Sequence, residues 1–140
     1  MLKLIVGVKG TGKTKTLIKM VNAALDESKG SVVCVEKGNK LIHEIKYLAR
    51  LLDTDAYAVT DAESLYGFVA GIYASNHDVT HIFIDSALKI CNNDLSAFEE
   101  FVFKAAKLGE QNGIEFVFTC SLPIEELPES LERYLDLTQR

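Results

Sequence analysis

The spacing of apolar positions along this chain switches repeatedly between short runs and helical stripes. Leu2, Leu4, Ile5 and Val6 make an apolar strand, and Leu17, Ile18, Met20, Val21, Ala24 and Leu25 then recur at helical spacing as far as a stop at Ser28-Lys29-Gly30. Ser31 to Val35 is a continuous β-branched run, the pattern of a strand buried on both faces. After a turn at Gly38-Asn39, Leu41, Ile42, Ile45, Leu48, Ala49 and Leu52 predict a helix, and Ala56 to Val59 a short strand. Thr60-Asp61-Ala62-Glu63 reads as a capping box ahead of a helix carrying Leu65, Phe68, Val69, Ile72 and Tyr73.

The second half repeats the alternation. Thr80 to Asp85 is an apolar strand that ends in a carboxylate. Ser96-Ala97-Phe98-Glu99 is a second capping box, opening a helix with Phe98, Phe101, Val102, Ala105 and Leu108 that stops at Asn112-Gly113. Ile114 to Phe118 is a further strand, ending on Thr119-Cys120-Ser121. Pro123 and Pro128 mark short helical starts, and Leu135 to Thr138 alternates like an edge strand. With no repeat or linker to interrupt it, this order predicts one α/β domain over residues 1–140 with a mainly parallel sheet. Such a sheet takes its ligand at the carboxyl ends of the strands.

Composition narrows the choice of partners. The 140 residues are 48% apolar and 25% charged, the balance of a soluble globular protein that buries a core without disulfides or structural metal. A net charge of −5 gives no general attraction to nucleic acid or an anionic membrane, and no stripe of aromatic and basic residues suggests either. Nothing approaches the length of a membrane span or a cleaved leader, so the chain reads as cytoplasmic. Cys34, Cys91 and Cys120 form no Cys-x-x-Cys pair and read as buried reduced thiols. His43, His77 and His81 lack metal-ligand spacing.

The chemistry is concentrated directly after the first strand. Gly7-Val8-Lys9-Gly10-Thr11-Gly12-Lys13-Thr14 has the form Gly, four residues, Gly-Lys-Thr, set between a strand and a helix. A loop that wraps a phosphate must turn back on itself and aim several N–H groups inward, which explains glycine at 7, 10 and 12. The helix it opens adds unpaired N–H donors and a partial positive charge. Gly10, Thr11, Gly12, Lys13, Thr14 and Lys15 are therefore the expected nucleotide-binding residues. Lys13 is expected on the β and γ phosphates and the Thr14 hydroxyl on Mg²⁺. Glu36, Asp85, Thr119 and Ser121 also fall at strand carboxyl ends, the same edge as the loop.

This set resembles the P-loop NTPase superfamily, and within it a small single-domain ATPase of the RecA-like, or additional-strand, class. The resemblance implies a three-layer α/β/α fold in which segment 114–119 sits between the loop strand and the Asp85 strand, giving the core order 5-1-4-3-2. Asp85 resembles the Walker B carboxylate that holds the magnesium shell, the alternative being a strand-end or helix-capping Asp. An ATPase of this type carries Glu after that Asp; here Ser86 follows, and Ser86 is no carboxylate base. Glu36, about two dozen positions past Lys13, matches the place of the catalytic Glu in RecA-type ATPases, or is a solvent-exposed carboxylate beside Lys37. Thr119 and Ser121 resemble the polar residue which these proteins place near the γ-phosphate or the attacking water, or are ordinary strand-end hydroxyls.

The function so implied is Mg-ATP binding with slow or partner-activated hydrolysis. Hydrolysis at useful rates also wants an arginine on the γ-phosphate, and Arg50, Arg133 and Arg140 lie near no recognisable site. A neighbouring subunit in a homo-oligomer, or another protein, is expected to supply it. Two rivals remain: a nucleotide-binding switch or regulatory subunit without turnover, and a small-molecule or nucleoside kinase, which the absence of an arginine-rich lid disfavours. No Asn-Lys-x-Asp segment supports guanine specificity.

Overall fold

The computed structural model describes residues 1–46 and 48–136. Its elements are β1 (Leu2–Gly7), α1 (Lys13–Glu27), β2 (Ser31–Glu36), β3 (Arg50–Asp53), α2 (Ala62–Ser75), β4 (Val79–Ile84), α3 (Ala87–Ile90), α4 (Leu95–Asn112) and β5 (Glu115–Ser121), with 3-10 turns at Thr54–Tyr57, Ile124–Glu126 and Glu129–Tyr134. All five strands pair in parallel, in the order β1-β5-β4-β2-β3.

Alternation along each strand divides the core between two faces. Ile5, Val32, Cys34, Phe83 and Val117 pack with Leu17, Val21 and Ala24 of α1. Leu4, Val6, Val33, Val35, Ile82, Ile84, Phe116 and Phe118 face the other way, onto Leu65 and Val69 of α2 and Phe98, Phe101 and Val102 of α4. Strands covered on both sides need the uninterrupted apolar runs seen in the sequence. The three thiols are buried in this core. Burial holds them in the thiol form, pushing Cys91 and Cys120 up to about 12 and Cys34 further.

The sheet order differs from 5-1-4-3-2 for two reasons. Arg50–Asp53 is an added edge strand, paired with β2 in the register Cys34 to Leu51 and Val35 to Leu52. At the other edge, Leu135 makes an isolated parallel bridge to Leu4 in place of the expected strand, and residues 137–140 lie outside the described residues. Segment 115–121 does lie between β1 and β4.

The helix expected over Leu41 to Leu52 is absent, replaced by a series of turns running into β3. Side chains from elsewhere take the backbone groups that a helix would use: Asn22 of α1 accepts from Lys46 N–H at 3.1 Å and donates to the Glu44 carbonyl at 3.4 Å. Leu41, Ile45 and Ala49 are still buried, whereas Leu48 is exposed. Ala56 to Val59 is likewise no strand, because the Asp53 carboxylate accepts from Asp55 N–H at 2.9 Å and winds residues 54–57 into a 3-10 turn. The capping boxes slide too. Asp61 and Ser64 form the reciprocal pair of α2, and Asp94 caps α4 through Ala97 N–H at 3.0 Å.

Candidate functional site

The segment between β1 and α1 turns through two left-handed glycines, Gly10 at φ 89° and Gly12 at φ 83°. A side chain at either would be strained by roughly 1–2 kcal/mol. Gly7 is constrained by contact instead: a Cβ there would lie 2.8 Å from Thr11 Oγ1. The Thr11 hydroxyl donates to the Val8 carbonyl at 2.8 Å, and Lys13 Nζ donates to the same carbonyl at 2.9 Å. Both bonds hold the loop curled over the start of α1.

No side chain caps α1 and no acidic residue occupies its first turn, so its leading N–H groups are left for an anion. Lys13 is only 9% exposed, and burial lowers its pKa against the opposing pull of Asp85. An ammonium already stripped of much of its water gains more from a phosphate than a solvated one would.

Asp85 follows β4, placed by its N–H bond to the Val35 carbonyl at 2.9 Å. Its Oδ1 accepts from the Thr14 hydroxyl at 3.2 Å and from the Thr119 hydroxyl at 2.7 Å. Thr119, fully buried on β5, in turn accepts from Ser86 N–H at 2.6 Å. One chain of hydrogen bonds thus joins α1, β4 and β5 at the carboxyl edge of the sheet. Thr119 therefore positions Asp85 and the start of α3, a role the sequence reading did not give it.

Glu36 is only 4% exposed, which overturns the picture of a solvated loop carboxylate. Its Oε1 accepts from Lys40 N–H at 3.1 Å and its Oε2 from Leu41 N–H at 3.0 Å, tying down the turn after β2. Burial raises its pKa, and Asp85 and Asp53 push the same way, against those two N–H bonds. Glu36 does not line the cleft described next.

That cleft, of about 630 Å³, runs along the loop and is lined by Lys9, Gly10, Gly12, Lys13, Thr14 and Lys15. Asp85, Ser86, Thr119 and Ser121 line it from the sheet edge, and Lys40, Leu41, Glu44, Lys89 and Asn93 from flanking segments. Five lysines against two carboxylates suit a polyanion. Sequence reasoning missed Lys40, Glu44, Lys89 and Asn93. For Lys89 a signal existed, a lone charge inside the apolar run Ala87, Leu88, Ile90 and Cys91.

Raised above its ordinary 4.5, the Glu36 pKa stabilises the fold in full below that value and loses the effect as pH rises through the folded-state value. The stability of wild type relative to Glu36→Gln is accordingly expected to fall with rising pH from 4 to 8, measured by urea denaturation. A pH-independent difference would refute the buried setting of Glu36.

Among the described residues, no three His, Cys, Asp or Glu side chains form a metal cage, and no helix is long and apolar enough to cross a membrane. No protein-family model matches the chain, and no curated protein matches its sequence.

Proposed function

We propose that the chain binds Mg-ATP as a P-loop protein of the RecA-like, additional-strand kind and hydrolyses it slowly or under the control of a partner. The observation that carries this reading is the Thr14–Asp85–Thr119 chain of hydrogen bonds beside the left-handed loop and the desolvated Lys13. Gly10, Thr11, Gly12, Lys13, Thr14 and Lys15 would cradle the phosphates. Thr14 and Asp85 would hold the metal. Their oxygens stand 3.2 Å apart, close to the roughly 2.9 Å between adjacent ligands of an octahedral magnesium ion. An ion held by one carboxylate, one hydroxyl, phosphates and water needs no all-protein cage. When bound, it would neutralise charge on the β and γ phosphates.

Orienting the attacking water is the role this reading gives Glu36, which keeps lone pairs beyond its two N–H bonds but stands behind the cleft lining, so the turn after β2 would have to admit that water. Ser121, which lines the cleft, would stand near the terminal phosphate. A second reading, the non-hydrolysing switch, draws on the same carboxylate: both Glu36 oxygens are committed to backbone, and Ser86 stands where a second acid would be.

Calorimetric titration with ATP, with magnesium and with a chelator, tests the shared premise. Binding at least about tenfold tighter with the metal is expected, about one charge-assisted contact's worth. No binding under either condition overturns both readings, and phosphate release from the bound complex decides between them.

A further inference from the structure

Hydrolysis needs positive charge on the terminal phosphate beyond Lys13 and the metal, and neither Arg50 nor Arg133 lines the cleft. We propose that Lys89 supplies that charge from within the same chain, contacting the γ-phosphate oxygens as a catalytic residue. The proposal rests on the Mg-ATP reading above.

The case lies in how Lys89 is mounted. It is the exposed member of the α3 segment, in which Ala87, Leu88, Ile90 and the following Cys91 are all buried. The helix packs on β5, and its first turn is pinned where Ser86 N–H meets Thr119, the hydroxyl that also holds Asp85. Left-handed residues stand on both sides of α3, Ser86 at φ 57° before it and Asn92 and Asn93 at φ 59° and 56° after it. Asparagine tolerates that backbone, whereas at Ser86 it is strained and persists where the surroundings enforce it, often at ligand sites. Asn93 N–H donates to the Leu88 carbonyl at 2.9 Å and Asn92 N–H to the Lys89 carbonyl at 3.0 Å, closing the end of this platform.

Its ammonium has no hydrogen-bond or ion-pair partner among the described residues, whereas Lys37 and Lys46 are paired with Asp55 and Asp26. Lys40 reaches the cleft too, but from the turns after β2, without a buried helix behind it. In the reaction, the water oxygen forms the new bond to the γ-phosphorus as the bond to the bridging oxygen breaks. The electron pair leaves on ADP, and the water's proton departs with the inorganic phosphate. Charge spread over the terminal oxygens in that transition state is what Lys89 would offset.

The test compares wild type, Lys89→Ala, Lys89→Gln and Lys89→Arg for ATP affinity, ADP–aluminium fluoride affinity and single-turnover phosphate release. Loss of Lys89 is expected to slow release about 100-fold or more and to weaken the fluoride complex in parallel, with ATP affinity changed less than about threefold. Lys89→Arg should restore at least about a tenth of the rate, and wild-type turnover per chain should not depend on protein concentration. Variants that weaken ATP as much as the fluoride complex, or turnover that rises with concentration and ignores Lys89, would overturn the proposal. So would a wild type that binds Mg-ATP yet neither releases phosphate nor prefers ADP–aluminium fluoride to ADP. That last result leaves nucleotide binding standing, whereas absence of ATP binding removes both.

Discussion

Lys13→Ala is expected to weaken Mg-ATP binding by about 10- to 100-fold, the equivalent of about 1.5–3 kcal/mol for a hydrogen bond to a charged group. The same change should leave the fold about as stable as before. In the free protein the ammonium has one described bond, to the Val8 carbonyl, and burial already disfavours its charge. Removing it relieves that penalty while losing the bond, so the two effects oppose each other. With nucleotide present no such cancellation is expected, because on this proposal a phosphate would be the partner that makes the buried charge favourable. Titration calorimetry paired with urea denaturation separates the two. A variant that binds normally would refute the assignment of Lys13, and one that binds poorly because it is unfolded would reveal itself in the denaturation curve.

Thr119→Val should have the opposite profile, with its largest effect on stability. Valine keeps the shape of the side chain and removes the hydroxyl that bridges Asp85 and Ser86 N–H. Ser86 N–H is left without its partner, while Asp85 loses one donor and keeps the Thr14 hydroxyl, so a loss of about 1–3 kcal/mol is expected. Thr119→Ser retains the hydroxyl and should recover most of it, although without the methyl that helps fix its rotamer. Nucleotide affinity in Thr119→Val should fall more with magnesium than with a chelator, since Asp85 would no longer be held against Thr14. A fully stable Thr119→Val would show that the bridge contributes nothing. Equal losses with and without metal would place its effect outside the metal site.

Both experiments probe residues that were legible in the sequence to different degrees. The shape of the loop follows from residue type and spacing alone, because a segment that turns back on itself demands glycine at set positions. Strands and the long helices α1, α2 and α4 were equally readable, since each buries a stripe or a face against a layer that repeats the same period. What escaped was decided by side chains reaching in from far along the chain. Leu41, Ile45 and Ala49 have helical spacing and are buried, yet Asn22 and Glu36 capture the backbone there and the helix never forms. β3 is four residues long, too short to show a period of its own. Glu36 and Thr119 were found at the correct edge of the sheet, but the placement of a side chain at an edge does not say which hydrogen bonds it makes. Lys40 and Lys89 are surface lysines in composition, and only the fold turns them toward a common cleft.

The pairing of β1 has a consequence for the order in which the protein can be made. Leu2 pairs with Phe116 and Gly7 with Ser121, while α1, β2, β3 and β4 are all synthesised in between. The strand that leads into the glycine loop thus has no neighbour in the sheet until the last strand has left the ribosome. Pairings so distant in sequence form slowly, because a long loop must close before any contact rewards it. On a growing chain the central strands can assemble first, with the loop and its strand waiting at the amino end. The shaped loop would therefore arrive late and abruptly, on completion of β5, and a chain stopped short of residue 115 would carry the whole loop motif without the framework that shapes it.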